Sequence, residues 1–311
     1  MPNAELFGEY DVERRTRILS RNIAGPDESV HSIGIDVAHK LLKALHLRGK
    51  SCGGLVLASS SSPDLLRDAL HIAKQLDIHG PAIGVNYACS GFPKAVSEAM
   101  YLADAERISQ DILIIAAETL SRIVNWEDKK TAILFADRAA ATTLMPAGRF
   151  QIVHADAKDL EDPENAIRLE HVGKALDECG HRRDRACVVM NGKRVFEFAS
   201  TRMVELIEET FAQDSSLDIN ELSTVVMHQA NGRIIERAEE ELDKRGLGHV
   251  RVEKNIERMG NVAAASIPAT LAAIQEQIPE DTLVACPALG AGAGIADGRR
   301  TEGIIVMRRT V

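Results

Sequence analysis

The chain has 311 residues, 45% hydrophobic and 27% charged, the balance of a soluble globular protein of about two domains. A net charge of −9 argues against a nucleic-acid-binding module, because phosphate neutralisation needs a basic face. No apolar run reaches the ~18–20 residues that span a bilayer. The first residues lack the basic-then-apolar order of a secretory signal. Five scattered cysteines make no disulfide framework, so a cytoplasmic location is expected.

Ser29 to Leu47 carries Ile33, Val37, Leu41 and Leu45 at helical spacing. Leu55 to Ala58 is a short apolar run that stops at four serines, which predicts a buried strand and a loop. Leu65 to Leu76 is helical, Ile83 to Tyr87 is a strand, and Phe92 to Ala105 is a helix. Asp111 to Ala117 and Thr131 to Phe135 are expected strands. Beyond a strand at Phe150 to His154, helices are expected at Phe196–Phe211, Arg233–Leu242 and Val262–Gln275. Strands are expected at Thr224–Met227, Val250–Val252, Leu283–Ala285 and Ile304–Val306. This alternation predicts an α/β protein with helices covering sheets.

The order repeats at an offset of about 170 residues, which points to an internal duplication with halves 1–149 and 150–311. The strand at Phe150 has no counterpart in the first half, which therefore lacks its first strand.

Three loops at equivalent strand ends carry Cys89, His228 and Asn261. Ligand sites in open α/β sheets gather at such ends. Cys89 precedes a helix, whose N-terminal partial charge is expected to favour a thiolate. A nucleophilic thiol with an imidazole and an amide is an acyl-transfer set. Each residue alone has a plainer reading, as a buried thiol, a structural histidine or a turn. Their common placement favours chemistry.

The segments Asn86-Tyr87-Ala88-Cys89-Ser90-Gly91-Phe92, His228-Gln229-Ala230-Asn231-Gly232-Arg233 and Gly260-Asn261-Val262-Ala263-Ala264-Ala265-Ser266-Ile267-Pro268 resemble three active-site motifs of the β-ketoacyl-acyl-carrier-protein synthase III family, within the thiolase superfamily. Met190 to Phe196 and Arg21 to Glu28 resemble further family segments. The resemblance implies a thiolase-like fold of two pseudo-twofold-related halves in α-β-α-β-α layers. It implies an acyltransferase in fatty acid or related biosynthesis. Cys89 would take an acyl group from acyl-CoA, and His228 and Asn261 would stabilise the enolate formed as malonyl acyl carrier protein loses carbon dioxide. Backbone N–H groups of Cys89 and Gly292 would form the second oxyanion hole. Arg15, Arg21, Gly192 and Asn231 would bind CoA, and Arg233 and Arg237 would dock the carrier protein. Neither metal nor prosthetic group is implied, and a homodimer is, with residues around Asp64 to Arg67 reaching the partner's pocket. The alternative is a non-condensing acyltransferase or an idle partner subunit of the same fold.

The basic stretch Arg14, Arg15, Arg17 and Arg21 also reads as a solvated helix face. Gly290-Ala291-Gly292-Ala293-Gly294 after a strand could suggest a dinucleotide site, but a turn rather than a helix follows. His171, Cys179, His181 and Cys187 have irregular spacing for zinc. Arg138 stands where the family reads glycine, and Asp11 where it often shows an aromatic residue.

Overall fold

The computed structural model describes residues 7, 11–105, 108–162, 164–177, 181–291 and 298–310. The first sheet comprises β1 (Cys52–Ala58), β2 (Ala82–Val85), β3 (Asp111–Thr119) and β4 (Asp137–Leu144), in the order β2-β1-β3-β4. The second comprises β5 (Phe150–Glu161), β8 (Leu222–Val225), β9 (Arg251–Val252), β10 (Leu283–Gly290) and β11 (Arg299–Arg309), in the order β5-β11-β10-β8-β9. Read from the other edge, the second order is β9-β8-β10-β11-β5. The first four correspond one by one to β2-β1-β3-β4, and β5 has no equivalent among the described residues. Among the described residues, the first half thus lacks the strand whose counterpart the sequence pattern left out.

The nine helices among the described residues are α1 (Val12–Thr16), α2 (Val30–Ala44), α3 (Leu65–Gln75), α4 (Gly91–Ala105), α5 (Lys129–Ala132), α6 (Gly192–Gln213), α7 (Gly232–Lys244), α8 (Ile256–Met259) and α9 (Ser266–Ile274). Polar caps start several of them. Ser29 accepts from Ser32 N–H at α2, Asp64 from Arg67 N–H at α3, and Asn231 from Arg233 N–H at α7.

Both faces of the central strands are apolar, as sheets covered on both sides require. In β1, Leu55 and Leu57 pack under α2 and α3, with Val30, Ala38, Leu42 and Ile72. Val56 and Ala58 face the other way, onto Phe92, Ala95 and Val96 of α4. The same cluster takes in Ile267 of α9 and Val284 and Cys286 of β10, so α4 and α9 form a layer between the two sheets. Met203, Val204 and Ile207 of α6 and Ile235 and Ala238 of α7 cover the far side of the second sheet. The result is the five-layered α-β-α-β-α arrangement.

Two elements differ from expectation. Thr131 to Phe135 is not a strand: Asp128 caps α5 by accepting from Lys130 N–H, and the chain then turns. The fourth strand lies just beyond, at Asp137–Leu144. An apolar run of this length is buried in either conformation, so its pattern could not separate helix from strand. An antiparallel hairpin of β6 (Ile167–Leu176) and β7 (Arg182–Met190) was not foreseen. Among the described residues, no helix is long and apolar enough to cross a membrane.

Candidate active site

The nucleophile candidate sits on a tight turn between β2 and α4. Ala88, with φ of +45°, opens a 3-10 turn through Ser90, and α4 begins at Gly91. Asn261 lies just before the matching turn of the second half, where Ala263 has φ of +39° and α9 begins at Ser266. Left-handed backbone at a non-glycine residue costs on the order of 1–3 kcal/mol and persists only where the surroundings fix it. Here the two turns brace each other. A Cβ placed on Gly91 would stand 3.0 Å from the Ala264 Cβ, so only glycine lets the helix starts meet without displacement.

Further contacts hold the Cys89 turn. Ser90 Oγ donates to Tyr87 O at 2.9 Å and lies 2.6 Å from Thr301 Oγ1 on β11. A Cβ on Gly290 would come within 3.0 Å of the Cys89 nitrogen, so the end of β10 approaches the backbone of the nucleophile. Cys89 is partly exposed. Its thiol is pushed up to about 12, first by burial and then by the negative charge of Glu118, against the opposing pull of its own backbone N–H. The resting group is therefore a thiol, not the thiolate expected at a helix N-terminus. Desolvation and a nearby like charge outweigh the helix end.

His228 is buried, and burial holds its imidazole down to about 3, so it is neutral. Its backbone N–H donates to Pro287 O at 2.9 Å, which fixes it beside β10. Its Nδ1 lies 2.8 Å from Ser266 Oγ, the first residue of α9. That hydroxyl already accepts from Gln229 N–H at 3.3 Å. The tautomer that accepts the Ser266 hydroxyl proton at Nδ1 carries its own ring proton on Nε2. Gln229 is itself braced, donating to Met227 O at 2.8 Å and accepting from Asn255 N–H at 2.9 Å.

Asn261 is tied at both backbone groups. Its N–H donates to Leu134 O and its carbonyl accepts from Ala136 N–H, both at 2.9 Å. Its side-chain Oδ1 accepts from Ala263 N–H at 3.0 Å. The acceptor end being occupied, Nδ2 is the end left to donate.

Cys89, His228 and Asn261 line one cavity of about 590 Å³. Its inner wall is apolar, with Leu120, Ile133, Phe135, Val188 and Ala263. Exposed Arg15, Lys130, Gly192 and Arg233 belong to its outer lining, with half-buried Asn231 and Arg237. Asn231 also steadies the rim, its Nδ2 donating to Arg15 O at 3.4 Å. Arg233 pairs with Glu236 at 3.0 Å, and Arg237 with Glu240 and Glu241 at 2.9 and 2.8 Å. Such surface pairs are worth about 1 kcal/mol or less, so an incoming anion can exchange for them.

Arg21 is a correction. It is fully buried and does not line the cavity. Its guanidinium donates to the carbonyls of Ala132 and Phe135 and stacks over Phe7, 5.2 Å from the ring centroid. It supports the Ala132–Phe135 turn, whose Leu134 carbonyl holds the Asn261 N–H, rather than reaching a ligand. Gly292 lies outside the described residues, as does Cys179. Cys187 is buried on β7, whereas His181 is exposed beside Asp177. Arg138, on β4, keeps a buried Nε without a hydrogen-bond partner. Asp11 caps α1 through Arg14.

Sequence reasoning assigned no role to Ser266, Ser60 or Glu118. Ser266 was within a quoted motif. Glu118 follows seven residues of which six are apolar in β3, an odd place for a carboxylate. That was the available signal.

Comparison with known proteins gives the family and the fold. The family profile for 3-oxoacyl-[acyl-carrier-protein] synthase III matches residues 83–159, and that for its C-terminal part matches residues 212–296. The β-ketoacyl-[acyl-carrier-protein] synthase III of Pectobacterium atrosepticum is 34% identical over 289 residues, covering 90% of this chain and 87% of its own. That of Sphingopyxis alaskensis is 33% identical, covering 93% and 91%. The crystal structure of the Thermus thermophilus synthase III superposes with a TM-score of 0.79 at 27% identity, covering 100% of this chain and 95% of its own. The priming β-ketosynthase of the R1128 polyketide pathway superposes at 0.81 with 24% identity over 100% and 93%, a likeness of fold. The chain belongs to the β-ketoacyl-[acyl-carrier-protein] synthase III family.

Proposed function

We propose that this protein condenses an acyl group from acyl-CoA with malonyl acyl carrier protein, with loss of carbon dioxide, to give a β-ketoacyl carrier protein in fatty acid or related biosynthesis. Cys89 Sγ attacks the acyl-CoA carbonyl, and the CoA sulfur leaves with the proton that Cys89 gives up. The first half-reaction therefore balances without an external base, which suits a nucleophile that rests as a thiol. The malonyl thioester then loses carbon dioxide, and its oxygen takes the negative charge of the enolate. His228 Nε2–H and Asn261 Nδ2–H are the donors for that oxygen. A preorganised donor in a dry site is worth about 3–4 kcal/mol in such a step. The enolate carbon attacks the acyl-Cys89 carbonyl, the carbon–sulfur bond breaks, and the departing thiolate takes a proton from solvent.

The observation that carries this reading is the shared cavity of Cys89, His228 and Asn261, with the donor end of each polar side chain fixed by a hydrogen bond at its other end. Arg15, Lys130, Arg233 and Arg237 give the outer part of that cavity four cations, suited to the phosphates of CoA and of the phosphopantetheine arm and to an acidic carrier. The test is carbon dioxide release from malonyl carrier protein together with acylation of Cys89. Acylation without decarboxylation would instead indicate a non-condensing acyltransferase.

Assembly as a homodimer belongs to the same proposal. Strand β2 is an edge of its sheet, and exposed Leu66 and Leu70 lie on the adjoining α3, with Tyr101 on α4. An unpaired edge beside apolar side chains favours association. Sedimentation at micromolar concentration gives twice the chain mass; an active monomer contradicts it.

A further inference from the structure

Glu118, at the end of β3, is fully buried and has no cation within 4 Å among the described residues. Arg138 is its direct partner across the β3–β4 ladder, yet the two do not bond. Hydrogen bonds from two sides satisfy the carboxylate instead. From the loop after β1, Ser60 donates its N–H at 3.1 Å and its Oγ at 3.0 Å, and Ser61 its N–H at 3.1 Å and its Oγ at 2.6 Å. From the turn before α9, the Ala264 N–H donates. Ser60 lines the cavity beside Cys89, and Ala264 adjoins Ala263, whose N–H holds the Asn261 side chain.

We propose that Glu118 is a positioning residue for the acylation step: its carboxyl holds Ser60 and Ser61 of the loop after β1, and with Ser60 the cavity wall that Cys89 shares. This rests on Cys89 being the acylated nucleophile. The Ser60 and Ser61 N–H groups can only donate, so an acceptor is what completes the site. A glutamine would turn two N–H groups toward donors. The groups facing Glu118 are the serines of the β1 loop, the Ala264 N–H, the Cys89 thiol and, across the ladder, Arg138. Burial pushes the carboxyl up to about 7, opposed by the bonds from Ser60, Ser61 and Ala264. The charge of Glu118 in turn raises Cys89.

The test compares wild type, Glu118→Gln and Glu118→Asp in two assays. One is the rate of Cys89 alkylation by iodoacetamide at pH 8, which follows the thiolate fraction. The other is single-turnover acylation by acyl-CoA, read by intact mass. In Glu118→Gln the alkylation rate rises about tenfold, because a nearby like charge is worth about one pH unit, while acylation slows. Glu118→Asp returns alkylation toward the wild-type rate, which loosening of the fold alone would not do. If Glu118→Gln does not fold, Ser61→Ala serves: losing this hydrogen bond pushes the carboxyl up further, so acylation slows while alkylation at pH 8 rises less than in Glu118→Gln. A folded Glu118→Gln with wild-type rates in both assays overturns the inference, as does Ser61→Ala with unchanged acylation. Failure of the wild type to acylate at all would refute the function and leave the alkylation comparison standing.

Discussion

Ser266→Ala tests the donor geometry of the second half-reaction. It removes one oxygen that serves two partners, the His228 Nδ1 at 2.8 Å and the Gln229 N–H at 3.3 Å. A hydrogen bond of this kind contributes a net 0.5–1.5 kcal/mol or so. Here that energy also selects the tautomer with the proton on Nε2. Without it, the ring can place its proton on Nδ1 and present a lone pair to the enolate oxygen, and it can rotate. Losing about 1.4 kcal/mol of this bias reduces decarboxylation about tenfold. Acylation of Cys89, which does not use that donor, stays within about twofold on the same reasoning. The assay is stopped-flow detection of carbon dioxide from malonyl carrier protein, run beside acyl-CoA burst kinetics by intact mass. A tenfold fall in both half-reactions would indicate a general collapse of the site. Unchanged decarboxylation would show that Ser266 does not set the tautomer.

Other substitutions address neighbouring groups. Asn261→Ala retains acylation at Cys89 but loses decarboxylation by a factor of about 10²–10³; equal loss of both steps would show that the roles are misassigned. His228 is held at about 3 against 6.5 unfolded, so its contribution to stability is complete above pH 6.5 and is lost as pH falls toward 3. His228→Gln therefore unfolds with a flatter acid limb, differing from wild type by about 1.5–2 kcal/mol between pH 6.5 and 5; parallel urea curves at the two pH values would contradict a buried neutral imidazole. Arg21→Met leaves the Ala132 and Phe135 carbonyls without this donor and lowers stability by about 2–4 kcal/mol. The folded fraction keeps its KM for acyl-CoA, and a rise in KM without loss of stability would restore Arg21 to the CoA site.

The layered fold was legible because most of its elements carry their own pattern. Leu55 to Ala58 and Ile112 to Ala117 are continuous apolar runs, as strands covered on both faces must be. The strand β4 was not, since Ala139, Ala140 and Ala141 alternate nothing and have little strand preference. The apolar residues just before it, Ile133 to Phe135, took its place in the reading. The hairpin β6–β7 mixes Arg, Glu and Lys among its apolar residues and shows no clean face. Cys89, His228 and Asn261 were readable because their loops follow strand ends in matching order. Ser266 and Glu118 were not assigned, because their partners come from segments far away in sequence. Arg21 misled for a related reason: its neighbours Arg14, Arg15 and Arg17 are on or beside α1, and nothing local marks the fourth cation as the one the chain buries. The position of the Cys89 thiol also depended on its surroundings, where burial and Glu118 outweigh the helix end.

The account turns on Cys89 as the single acyl carrier. Intact-protein and peptide mass spectrometry after mixing with a panel of acyl-CoAs, without malonyl carrier protein, tests this most directly. One acyl group per chain is expected on the peptide containing Cys89, none on those of Cys52, Cys179, Cys187 or Cys286, and none in Cys89→Ala. Acylation that persists in Cys89→Ala would contradict the central claim, as would a wild-type protein that takes up no acyl group from any member of the panel.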